Sequence, residues 1–117
     1  MPQVLPSIPN LELAAYYQTF DVSLIPYRID HPFNRVCNPT KIMDAMGSGR
    51  PIVATAIPEC RLHSERFDVA ENAEEFIGAV QRILASNSDD GRALLRHEYA
   101  RANTCHGVSE RILDLIN

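Results

Sequence analysis

The chain has 117 residues, 45% of them hydrophobic and 22% charged, the balance of one ordinary globular domain. A net charge of −4 leaves no basic footprint for nucleic acid or an anionic membrane. No apolar run approaches the roughly 18 to 20 residues that span a bilayer. The opening "MPQVLPSIPN" has neither the basic residue nor the apolar stretch of a secretory signal, so none is expected.

In chain order, "LELAAYYQ" at 11–18 sets Leu11, Leu13, Ala14 and Tyr17 near one face, with Asn10 as N-cap, and predicts a short helix. "DVSLIP" at 21–26 is rich in β-formers and ends in proline, which predicts a strand that stops there. Residues 27–38 carry turn formers without a period and read as a surface loop. Asn38 as N-cap and Pro39 at the first position open a helix over 39–46, with Ile42, Met43 and Met46 inward and Gly47 and Gly49 ending it. "PIVAT" at 51–55 is almost wholly apolar, the pattern of a parallel strand covered on both faces, so strand, helix and strand form a βαβ unit. "FDVAE" at 67–71 predicts a third strand. Asn72 and Glu75 have capping-box spacing ahead of a stripe of Phe76, Ile77, Val80, Ile83 and Leu84. "SNSDDG" breaks that helix. Another is expected over 90–102, with Leu95, Tyr99 and Ala102 on one side, and a last one carries Val108, Ile112, Leu115 and Ile116.

The fold expected is α/β: a partial Rossmann-like three-layer arrangement with few parallel strands, flanking helices and a helical C-terminus. Doubly wound sheets normally have about five or six strands. Residues 1–117 are therefore expected to form one domain that is the latter part of a larger fold.

Charge and cysteine usage narrow the chemistry. Residues 1–66 hold six acids and six bases, whereas 67–117 hold nine acids and five arginines. The neutral first half can serve an anionic ligand. Three cysteines, an odd number without framework spacing, suit a reducing compartment and argue against a disulfide scaffold. Cys60-x-x-His63 and Cys105-His106 lack a second arm, and no metal site is expected. Ser48 lies between two glycines, but after a helix and before a strand, the reverse of a phosphate loop. His31, Arg28, Arg35 and Glu59 fall in loops on the presumed ligand side, where solvated side chains are the ordinary state.

The stretch "NPTKIMDAMGSGRPIVAT" at 38–55 has more to offer. A helix N-terminus presents unpaired N–H groups and a partial positive charge, which suits phosphate. Here the first turn adds the Thr40 hydroxyl and the ammonium of Lys41, the only lysine in the chain. Asp44 shares their helix face one turn on, where a carboxylate can accept hydrogen bonds from a ribose diol. Spacing alone allows a plainer alternative, a surface ion pair between Lys41 and Asp44 worth about 0.2 to 0.5 kcal/mol.

Pro39, Lys41, Asp44, Gly49, Arg50, Pro51 and the run Ile52–Thr55 resemble the donor-binding segment of GT-B glycosyltransferases of group 1. The flanking "LELAAYYQTFDVSLIPY" and "VAENAEEFIGAVQRIL" resemble the elements on either side of it. The resemblance implies transfer of a sugar from a nucleotide-sugar donor to an acceptor, with the donor as substrate and no separate cofactor. It also implies that Asn38, Pro39, Thr40 and Lys41 face the donor diphosphate and that Asp44 holds its ribose. Asp44 replaces the family's usual glutamate, Val36 stands where some relatives carry a second acid, and Cys105 falls near a frequent tryptophan. The chain matches only the latter part of a C-terminal donor domain, so an N-terminal acceptor domain or partner chain is implied, as are part of a donor site, an isolated chain without transferase activity, and self-association through uncovered surfaces. A cytoplasmic location is expected, with a peripheral place at the inner membrane face as an option for the intact enzyme. The alternative expectation is a non-catalytic α/β interaction module or a decayed transferase fragment.

Overall fold

A strand that is apolar on both faces must be covered on both. In the computed structural model, which describes residues 3–117, the run after Pro51 is the central strand β2 (Ile52–Thr55). β1 (Ser23–Ile25) and β3 (Asp68–Ala70) flank it in parallel, in the order β1-β2-β3. Ser23 stands opposite Ile52, and Val53 opposite Asp68. The helices are α1 (Asn10–Thr19), α2 (Thr40–Gly47), α3 (Pro58–Arg61), α4 (Ala73–Ala85), α5 (Ala93–Ala102) and α6 (Cys105–Ile116).

Alternation along β2 divides the core in two. Ile52 and Ala54 pack with Ile25, Ile42, Ala45 and Met46 on the α2 side. Val53 points the other way, onto Ala79 and Ile83 of α4. The result is the α/β, three-layer, partial Rossmann-like arrangement expected from the sequence, with α5 packed on α2 and α6 packed on α5. Asn72 caps α4 by accepting from the Glu75 N–H at 2.8 Å, while Glu75 accepts from the Glu71 N–H at 2.7 Å. That is a capping box displaced by one residue at its return bond.

Several local expectations need correction. Pro39, not Asn38, is the N-cap of α2: its ψ of 124° is extended, and the helix starts at Thr40. The buried Pro39 ring anchors the turn, and its carbonyl accepts from the Ile42 N–H at 3.2 Å, while Asn38 remains exposed. Pro9 likewise holds the cap position of α1, and the Asn10 side chain lies outside the described residues. Leu11, expected inward, is exposed. The loop at 27–38 contains a 3-10 turn at Pro32–Arg35. Gly47 is still helical, and the left-handed residue that ends the segment is Gly49, with φ +74°. α5 buries Arg96, rather than Leu95 or Ala102. Along the α4 stripe Ile77 and Leu84 are exposed, because three strands are too few to lie beneath the whole helix face. α6 has no buried residue among those described.

Candidate functional site

The first turn of α2 carries no side-chain cap, so the Thr40 and Lys41 amides retain the free donor capacity of a helix N-terminus. Thr40, Lys41 and Asp44 are all exposed. Pro39, by contrast, is buried, so its part is to aim the turn and not to offer a polar group. The hydrophobic side of α2, with Ile42, Ala45 and Met46, is locked into the core. That packing fixes which face the polar residues present.

Thr40 and Asp44 line a groove of ≈ 480 Å³ whose other wall is α1, through Leu13, Ala14 and Tyr17. Two reciprocal bonds hold α1 in place. Gln18 Nε2 donates to the Ser48 carbonyl at 3.0 Å, and Arg50 Nε donates to the Gln18 carbonyl at 3.0 Å. A second depression of ≈ 430 Å³ adjoins the first at Ala14 and Asp44 and runs toward Ser48 and Cys105. Lys41 sits outside the lining of both, on the exposed rim of the first turn.

Among the described residues, neither Lys41 nor Asp44 takes an ion-pair or hydrogen-bond partner. The plainer alternative, a Lys41–Asp44 surface pair, is thus not formed. Burial and the nearby Asp44 carboxylate push the Tyr17 phenol up, which keeps its hydroxyl protonated beside that carboxylate. Sequence periodicity places Tyr17 only on the apolar side of α1. Its place in the groove depends on how α1 lies across α2, and no local periodicity reports that.

The loop candidates have other duties. His31 Nδ1 accepts from the Phe33 N–H at 3.2 Å and so caps the 3-10 turn. Arg28 pairs with Asp30 in solvent at 3.2 Å. Glu59 stands 3.9 Å from the buried His63. Arg35 and Val36 are exposed on the approach to α2. A further cavity of ≈ 470 Å³ opens at the carboxyl ends of β1 and β2, between Tyr27, Thr55, Phe76 and Ile77. It lies toward α4 and shares no lining residue with the Thr40–Asp44 groove. None of the described helices is long and apolar enough to cross a membrane.

Comparison with known proteins supplies the context for this geometry. A curated relative from Bacillus subtilis (strain 168), TuaH, is named as a candidate teichuronic acid biosynthesis glycosyltransferase. It is 26% identical over 121 residues, covering 97% of this chain and 30% of its own length. The present chain therefore spans less than a third of that relative. No solved structure matches the chain. The family model described as "Glycosyl transferases group 1" matches residues 3–86, a stretch that includes all three strands and both walls of the Thr40–Asp44 groove. On that match the chain belongs to the group 1 glycosyl transferases.

Proposed function

We propose that the chain supplies part of the donor site of a GT-B transferase, which moves a sugar from a nucleotide-sugar donor to an acceptor. The residues from Asn38 to Lys41 meet the diphosphate. Thr40 offers its amide and hydroxyl, Lys41 its amide and ammonium, and Asn38 and Pro39 shape the approach. Asp44, one turn below, accepts from the ribose. The chemistry asked of this segment is electrostatic: oriented N–H dipoles and an ammonium group balance the charge on the leaving diphosphate. The acceptor and its activating base belong to the part of the enzyme that the chain does not contain, and the isolated chain is inactive. In the intact enzyme the reaction takes place in the cytoplasm or at the inner membrane face.

The observation that carries this reading is that Lys41 and Asp44 have no side-chain partner among the described residues, with Asp44 and Thr40 sharing one groove. Two opposite charges spaced to pair on a helix face, yet left apart, are available to a ligand. Titration of UDP, GDP and ADP sugars into the chain, followed by resonances of Thr40, Lys41 and Asp44, tests it. Shifts confined to that helix are the expected result. Silence from all three donors at millimolar concentration would sink the reading.

A second reading, a non-catalytic interaction module, draws on Leu24 and Ile77, apolar side chains 51% and 57% exposed. Lys41→Ala and Asp44→Asn separate the two. Loss of function at an unchanged melting temperature supports the donor site, whereas function that survives both substitutions supports the module.

A further inference from the structure

Asp44 is a short acid for its proposed task, and the structure provides a neighbour on the opposite wall. Tyr17, from α1, lines the same groove as Thr40 and Asp44. Its ring is held on two sides: it packs against the core cluster, and it meets Phe20 edge-on with centroids 5.6 Å apart. Its hydroxyl has no hydrogen-bond partner among the described residues, nor does the Thr40 hydroxyl or the Asp44 carboxylate. Three polar groups therefore converge from two helices on one groove with their hydrogen-bonding capacity unspent. The Tyr17 phenol offers a donor and the Asp44 carboxylate an acceptor from the two walls of one groove.

A ribose diol has the complementary need, since each hydroxyl both donates and accepts. We propose, on the donor-site reading above, that Tyr17 and Asp44 form a two-residue ribose clamp, with the Tyr17 hydroxyl donating to one sugar oxygen and the Asp44 carboxylate accepting from the other hydroxyl. The phenol on α1 thereby makes up for the reach lost at Asp44. The clamp assigns to Tyr17 a specificity role, the distinction of ribonucleotide from deoxyribonucleotide donors. A site built to bond a hydroxyl rejects the analogue that lacks it, because its own polar groups are then left unpaired.

The test compares UDP, GDP and ADP with their 2′-deoxy and 3′-deoxy counterparts, bound to the full chain and to Tyr17→Phe, by NMR titration. The phenylalanine keeps the ring packing and removes only the hydroxyl. Wild-type chain should prefer a ribonucleotide over one deoxy form, and Tyr17→Phe should bind that ribonucleotide about three- to tenfold more weakly, with the preference narrowed. The ratio of ribo to deoxy affinity is read within one protein, so a small change in folded fraction does not enter it. Equal affinity of wild type for both sugars, or a full preference retained in Tyr17→Phe, overturns the clamp and leaves the donor site standing. A wild-type chain that binds none of these nucleotides overturns the clamp and the donor-site reading together.

Discussion

Arg96 donates to the Gly49 carbonyl twice, from Nη2 at 2.9 Å and from Nε at 3.3 Å, and the residue is buried. Its remaining donors go to the Arg66 carbonyl at 2.8 Å and, as a fork, to Asp90 at 2.7 and 2.8 Å. All five N–H groups of the guanidinium are thus used, which is the condition under which a buried arginine is tolerated. The carbonyl it holds ends the turn after α2, so α5 fixes the C-terminal end of the helix whose first turn faces the groove. Arg96→Ala removes the fork from Asp90, which keeps only Arg92, and strips two carbonyls of their guanidinium donors, so a loss of about 3 to 5 kcal/mol is expected in urea unfolding. Arg96→Lys should recover only part of this, because an ammonium cannot form the fork. A loss below about 1 kcal/mol for the alanine variant would show that the network is solvated.

Gly49 itself admits no side chain. Its φ of +74° lies in the left-handed region, and a Cβ built there overlaps the His97 imidazole. Gly49→Ala is expected to lower stability by about 1 to 3 kcal/mol through backbone strain and the displaced ring. Gly47→Ala, at a helical position with open space around the added methyl, should be neutral or slightly stabilising. The melting temperatures of the two variants check the contrast, and equal effects would place the strain elsewhere.

These two positions show what was legible in the sequence. The βαβ unit, the third strand, the capping box at Asn72 and the helical C-terminus are readable because each is written in local period or punctuation. Gly49 is readable as a stop, though local punctuation gives Gly47, two residues before it, the same role. Asp90 and Arg96 are not. "SNSDDG" has the composition of a solvated break, and nothing local signals that Asp90 turns inward to meet an arginine six residues on. The exchange of Asn38 for Pro39 at the α2 cap has a similar cause: the buried Pro39 ring settles the register by packing, which outweighs cap preference. At the groove, Thr40 and Asp44 follow from helix spacing, while Tyr17 enters only through the contact of α1 with α2.

Stability should fall on both sides of neutral pH, for separate reasons. His63 is buried against Phe67 and Tyr99, and burial, with the Arg66 guanidinium, holds its imidazole below the ordinary 6.5, Glu59 opposing only in part. The unfolded chain then binds the extra proton, so stability is full above about 6.5 and declines as pH falls through that value. At lower pH Asp90 adds to the decline. Burial works against its ionisation, but the hydrogen bonds and charge of Arg96, with a smaller part from Arg92, hold it below the ordinary 3.8, so its contribution is lost as it protonates. Cys60 acts on the alkaline side. Burial, with the nearby Cys37 and Glu59, pushes its thiol up to about 12 from 9.0, so the folded state keeps a proton that the unfolded state releases. Stability should decline above pH 9, by at most about 1.4 kcal/mol per pH unit. Urea midpoints between pH 5 and 10.5 measure both limbs. His63→Gln should flatten the acid limb and Cys60→Ala the alkaline one, and limbs unchanged in those variants would refute the assignments.

The sheet edge and the uncovered helix faces predict self-association. β1 pairs only with β2 among the described residues, so its outer row of backbone N–H and C=O groups is open to another strand. Leu24 on that strand is exposed, as are Ile77 and Leu84 of α4, and α6 presents Ile112, Leu115 and Ile116 to solvent. Exposed apolar side chains beside an open sheet edge favour association in water. Sedimentation velocity across the micromolar range should therefore show dimers or larger species. Leu24→Lys combined with Ile77→Lys places charge on the edge strand and on the exposed side of α4, and should shift the distribution toward monomer. If the double variant associates as strongly as wild type, α6 is the contact, and Ile112→Lys should then dissolve it. A wild-type chain that sediments as a monomer throughout would mean that these faces are covered within the chain in solution, against the fragment reading.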